Sequence, residues 1–272
     1  MTASHIMNQI THQLAGQLGL VQLDGRRRPA PPALVLVGHG SRDPRALHTV
    51  RALLDRVRAL RPGLPVHLGH IELNEPLLTG TLADLDARGT TDAVLVPLLL
   101  GRGYHVKRDI PEMAATARVR TRVAAPLGPH PLLVDTLHTR LVEAGWHTPA
   151  TDAERGETAV VLAAAGSRDP DNAADTRRTA QLLSDRLGGI PVLPAYASAA
   201  TPTVPEALRA LAARGRRRVA VASYFTAPGR FATQCAEQAP WIASEPLGAN
   251  ESMANLVLHR YDQALSVGAR AA

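Results

Sequence analysis

At 272 residues the chain exceeds one average domain and falls short of three, and its 45% apolar and 20% charged residues exclude a disordered polypeptide. No apolar run reaches the roughly 18 residues that a membrane span needs. The single cysteine, Cys235, excludes an internal disulfide framework or a multi-cysteine metal site and fits a reducing, cytoplasmic setting. A formal net charge of +6 favours acidic partners, but with 3% aromatics the stacking platforms for nucleic acid are scarce. Neither nucleic acid nor membrane is expected as a partner.

Residues 1–32 read as a polar leader, with a short helix across Ile6 to Leu20 and a stiff Pro29-Ala30-Pro31-Pro32 end. From Ala33 short apolar runs alternate with amphipathic ones. Leu34-Val35-Leu36-Val37 reads as a buried strand, Arg45 to Leu60 as a helix and Pro65 to Leu73 as a strand. Leu77 to Arg88 follows as a helix and Ala93 to Leu100 as a strand, then a helix after Pro111, a short strand near Val123 and a helix from Leu132 to Ala144. Thr148 to Glu157 is polar and without strong periodicity, a natural linker. The order then returns: strand Thr158 to Ala163, helix Ala173 to Leu187, strand Ile190 to Tyr196, helix Val204 to Ala213, strand Val219 to Phe225. Continuous apolar strands alternating with helices imply parallel sheets covered on both faces.

Sequence identity turns this likeness into duplication. Gly40-Ser41-Arg42-Asp43-Pro44 recurs as Gly166-Ser167-Arg168-Asp169-Pro170, and at the same offset of 126 residues Pro76 falls on Pro202, Gly89 on Gly215 and Gly103 on Gly229. The expected architecture is α/β: two similar domains, over 33–150 and 151–272, each a parallel sheet flanked by helices. The shared pentapeptide reads as scaffolding, with Asp43 capping a helix and Pro44 at its first position. A phosphate loop is a poor alternative, because no Gly-Lys-Ser/Thr follows.

What the copies do not share carries the chemistry. His39 faces Ala165, Glu72 faces Ser198 and His105 faces Phe231. All three polar groups lie at the carboxyl ends of parallel strands, where ligand sites form in open α/β sheets. Two imidazoles and a carboxylate can therefore meet in one cleft of the first copy, while the second keeps no donors. His70, two residues before Glu72, is a weaker fourth candidate.

Three blocks resemble the sirohydrochlorin chelatases: Val35 to Asp43, Ile71-Glu72-Leu73-Asn74-Glu75-Pro76, and Val96 to Pro111 with its Gly101-Arg102-Gly103-Tyr104-His105 core. The likeness is to the long form with two fused repeats, and it covers roughly Leu34 to Leu265. It implies two α/β domains facing across a cleft, and insertion of a divalent metal into sirohydrochlorin or a related acidic tetrapyrrole. It further implies His39 and His105 as metal-binding and catalytic residues, with Glu72 as their acidic partner. No cofactor is implied beyond the substrate metal, Fe²⁺, Co²⁺ or Ni²⁺, with iron preferred, and a monomer is expected. Two imidazoles and a carboxylate suit such borderline ions, and no thiolate traps them. Because the ring bears many carboxylates, Arg42, Arg102, Lys107 and Arg108 are expected to pair with it, and Tyr104 to wall its apolar face with Leu99, Leu100 and Val106. The rival readings are a metal or tetrapyrrole carrier without turnover and a metal-dependent hydrolase. For the hydrolase Ser41 is the one tempting nucleophile, and its twin Ser167 argues for a turn role.

Overall fold

The computed structural model describes residues 30–270, so the leader and its expected helix lie outside the described residues except for its last three. The first half runs β1 (Ala33–Gly38), α1 (Pro44–Leu60), β2 (Val66–His70), α2 (Leu78–Ala87) and β3 (Asp92–Pro97). A π-helical turn over His105–Asp109 then leads into α3 (Ile110–Ala115), β4 (Arg120–Val123) and α4 (Pro131–Glu143). The second half runs α5 (Asp152–Glu157), β5 (Thr158–Ala164), α6 (Pro170–Arg186), β6 (Val192–Tyr196), α7 (Val204–Ala212), β7 (Arg218–Tyr224), α8 (Arg230–Ala236) and α9 (Glu251–Arg270). The sheet orders are β2-β1-β3-β4 and β6-β5-β7, and all pairings within them are parallel.

The duplication holds at the level of single hydrogen-bonded partners. Leu34 lies opposite Val66 and Val94, and its counterpart Val160 lies opposite Val192 and Ala220. The second sheet lacks a fourth strand for a local reason. The amide of Arg120 begins β4 by donating to the Thr91 carbonyl, at 2.9 Å. In this segment the matching bonds, from the Ala124 amide to the Leu95 carbonyl and from the Ser244 amide to the Val221 carbonyl, set the offset at 120 residues, so the counterpart of Arg120 is Pro240, which has no N–H to give. The expected linker is also more ordered than its composition implies: the Thr151 side chain accepts from the Glu154 amide while Glu154 reaches back, and this reciprocal cap starts α5.

Alternation along each central strand divides the apolar residues between two faces. Leu34 and Leu36 of β1, with Val160 and Leu162 of β5, enter one shared core between the sheets, filled by α1, α4, α6 and α9. Val35, Val37 and Leu95 face outward under α2 and α3, and Val161, Ala163 and Val221 do so under α7 and α8. Within the shared core α4 packs on α6 and β7 of the other half, whereas α9 packs back on α1 and β3. The terminal helix of each half thus covers the other half's sheet. No helix among the described residues is long and apolar enough to cross a membrane.

The pentapeptide is scaffolding in both copies. Asp43 accepts from the Arg45 amide and Asp169 from the Asp171 amide, each at 2.9 Å, while Ser41 and Ser167 accept from the amides of Asp43 and Asp169 at 3.1 Å. Gly40, at φ 105°, is required for a sharper reason: a Cβ there would lie 1.8 Å from the Glu72 carbonyl oxygen. Gly40→Ala is expected to cost about 3 kcal/mol of stability, read as a lower melting temperature in circular dichroism, because both the backbone angle and the contact are forbidden.

Candidate active site

The ends of β1, β2 and β3 are laced by backbone bonds that continue the ladder past the strands. The Leu98 amide donates to the Val37 carbonyl at 2.8 Å, that of Ile71 to Gly38 at 2.9 Å, and that of Glu72 to His39 at 3.0 Å. This brings residues 66 positions apart into contact: His39 Nε2 lies 3.1 Å from His105 Nε2, with the rings edge to face at 89°. With metal–imidazole bonds of about 2.1 Å, an ion touching both nitrogens would subtend about 95°, close to the right angle of an octahedral site.

Each imidazole has a carboxylate behind it. Asp109 Oδ2 lies 2.5 Å from His105 Nδ1, and Glu72 Oε1 lies 3.7 Å from His39 Nδ1. The π-helical turn sets the first contact, since it carries His105 and Asp109 on one face. A carboxylate so close to Nδ1 fixes the proton there and leaves His105 Nε2 as a bare lone pair. His39 Nδ1 likewise faces oxygen acceptors, the Gly40 carbonyl at 3.3 Å and Glu72 Oε1 at 3.7 Å, so its proton also belongs on Nδ1 and both Nε2 lone pairs point at the place an ion would take. Asp109 was not singled out from the sequence, although a histidine followed four residues later by an aspartate, just before a helix, was a readable signal.

Glu72 is placed differently from the expected third ligand. Its backbone is tied to His39, so its carboxylate meets the ring nitrogen that faces away from His105. Among the described residues no three His, Cys, Asp or Glu side chains converge to hold a metal ion. His70 is buried, and burial pushes its imidazole below the usual range; its Nδ1–H donates to the Pro76 carbonyl at 3.2 Å. It forms part of the cleft lining as a neutral, structural histidine.

The imidazole pair opens into a cleft of about 1150 Å³ lined by both halves. That is large against the roughly 300–1,000 Å³ of drug-sized ligand sites. Tyr104, 64% exposed, lines it with Leu99, Leu100 and Val106, and Arg42 lines it too. Arg102 and Lys107 do not match their expected use. Arg102 grips the buried Asp175 of α6 through Nη2 at 2.7 Å and Nε at 3.0 Å, and its own amide also donates to Asp175 at 2.9 Å. Lys107 Nζ lies 2.6 Å from Asp169 and 2.9 Å from Asp171. These cations latch the His105 loop to the second half, because carboxylates of the protein reach them there. Tyr224 and Thr226 add hydroxyl bonds to the Leu100 and Leu98 carbonyls at 2.9 and 3.0 Å. Arg108 is exposed and outside the cleft lining.

The chain matches the CbiX family twice, over residues 33–144 and again over 159–264. It belongs to the CbiX family. Both CbiX matches start at the first strand of a half, in line with the duplication. A sirohydrochlorin ferrochelatase of Bacillus subtilis strain 168 is 32% identical over 180 residues, covering 64% of this chain and 66% of that protein. A sirohydrochlorin cobaltochelatase of Priestia megaterium is 27% identical over 209 residues, covering 72% of this chain and 65% of that one. The match thus spans just under two thirds of the length of these two relatives. Among solved structures, SirB from Bacillus subtilis with Fe³⁺ is similar at a TM-score of 0.69 and 25% identity, over 86% of this chain and 95% of that one.

Proposed function

We propose that this CbiX protein inserts a divalent metal, Fe²⁺ by preference, into sirohydrochlorin held in the cleft between its two halves. One observation carries the reading: two imidazole nitrogens 3.1 Å apart, each backed by a carboxylate, at the mouth of a cavity large enough for a macrocycle. The named activities of the two curated relatives support it and divide between iron and cobalt. His39 and His105 bind the ion through two nitrogens only, which leaves its other positions to water and then to the ring. A site with few ligands and no thiolate releases its ion readily. Insertion frees two pyrrole protons; the imidazoles receive them, and Glu72 draws one onward from His39 Nδ1. The reaction belongs to a reducing compartment, where Fe²⁺ persists.

The test is an anaerobic titration of the protein with sirohydrochlorin and Fe²⁺, Co²⁺ or Ni²⁺ in turn, followed by the ring's absorbance. Many metallated rings per protein are expected, with Fe²⁺ fastest. A spectral change that stops at one ring per protein identifies a carrier and overturns the reading. Faster turnover with Co²⁺ keeps the chemistry and reassigns the metal.

A further inference from the structure

The cleft has two edges related by the duplication, and they are built from counterpart residues. Gly103 of the first half approaches Ser167 of the second, since a Cβ there would lie 3.6 Å from the serine hydroxyl. Gly229 of the second half approaches Ser41 of the first in the same way, at 3.9 Å. At the Gly103 edge, Arg102 and Lys107 bind Asp175, Asp169 and Asp171. At the Gly229 edge the counterparts of Arg102 and Lys107 are Pro228 and Thr233, and those of Asp171 and Asp175 are Arg45 and Thr49. That edge therefore cannot form the same latch.

The unlatched edge carries cations instead. The Arg45 charge is held by Asp43, at 2.7 Å. Arg42 and Arg230 both line the cleft and are exposed, and among the described residues neither makes an ion pair or a side-chain hydrogen bond. Arg230 stands at the counterpart of Tyr104, with its guanidinium 4.8 Å over the ring of Phe231, the counterpart of His105. Stacking of this kind covers one face of the guanidinium and leaves its in-plane N–H groups free for a bidentate acceptor. An apolar ring beside that fork suits a planar, carboxylate-bearing ligand.

We infer that Arg230, seated on Phe231, and Arg42 form the subsite that binds the peripheral carboxylates of the macrocycle at the unlatched edge of the cleft. The half that lost its metal donors thereby contributes substrate recognition in their place. The assignment rests on the proposed function for the identity of its ligand. Its test needs no turnover: equilibrium binding of metal-free sirohydrochlorin, followed by absorbance, to wild type, Arg230→Gln and Arg42→Gln, with melting temperatures as a check on folding.

Each variant is expected to weaken ring binding about 10-fold, as loss of a charge-assisted bond predicts. Arg209→Gln, on α7 and away from the cleft lining, removes the same charge and is expected to bind like wild type. Esterifying the ring's carboxylates is expected to erase the difference between Arg230→Gln and wild type. Affinities within twofold of wild type for both cleft variants overturn the subsite. An equal loss in Arg209→Gln overturns it as well, because it reduces the effect to the overall field. A wild type that binds the ring tightly but never metallates it removes the proposed function and leaves this subsite standing.

Discussion

Alanine in place of His105 is expected to lower metal insertion at least about 100-fold, and alanine in place of His39 to do the same, while both variants keep the wild-type circular dichroism spectrum. Each change removes one of the two imidazole nitrogens that meet at the site, together with a proton acceptor. Neither removes packing, since both rings are partly exposed and their counterparts Ala165 and Phe231 occupy the same scaffold positions. The contrast is Ser198→Ala, the counterpart of a change at Glu72 in the half without donors, expected to leave the rate within about twofold. Anaerobic initial rates on purified variants decide the matter. A His105→Ala protein retaining more than a tenth of the rate would mean that the imidazole pair is not the centre of the chemistry.

The second large effect is expected at Asp109. Its carboxylate lies 2.5 Å from His105 Nδ1 and so holds the tautomer that bares Nε2 toward His39. Partners of this type behind metal-binding histidines contribute about 10–100-fold to affinity or activity. Asp109→Ala is expected to fall in that range, by losing both the orientation and the charge. Asp109→Asn should lose less, since its amide oxygen still accepts from Nδ1. The measurement is Co²⁺ affinity by visible absorbance alongside the insertion rate. If the alanine and asparagine variants both match wild type in affinity, His105 needs no carboxylate to present its nitrogen.

The imidazole pair was readable because the position of a residue at the end of a parallel strand follows from pattern alone, and the repeat supplied an internal control. His39 and His105 stood out as donors only against Ala165 and Phe231. The role of Glu72 was legible as proximity but not as direction: which ring nitrogen it meets depends on the hydrogen bond tying its backbone to His39. The latch was hidden for a different reason. Arg102 and Lys107 flank the histidine motif, and sequence alone does not separate a cation aimed at a ligand from one aimed at Asp175 or Asp169, whose contact depends on how the halves pack. Arg230 does not stand out in the sequence, because the second half keeps no metal donors to draw attention to it. The missing fourth strand of the second sheet, by contrast, follows from Pro240 at the counterpart of Arg120.

Because α4 lies over the second sheet and α9 over the first, neither half is closed by its own chain. A lone ancestral copy would have covered that sheet face only in part, with its first helix, and a twin handing over its last helix completes the cover. Such a pair carries two equivalent reaction centres from the outset, and joining the copies head to tail makes their partnership permanent. Mutation could then strip one centre of its ligands while the other remained at work, a path closed to any assembly of identical subunits.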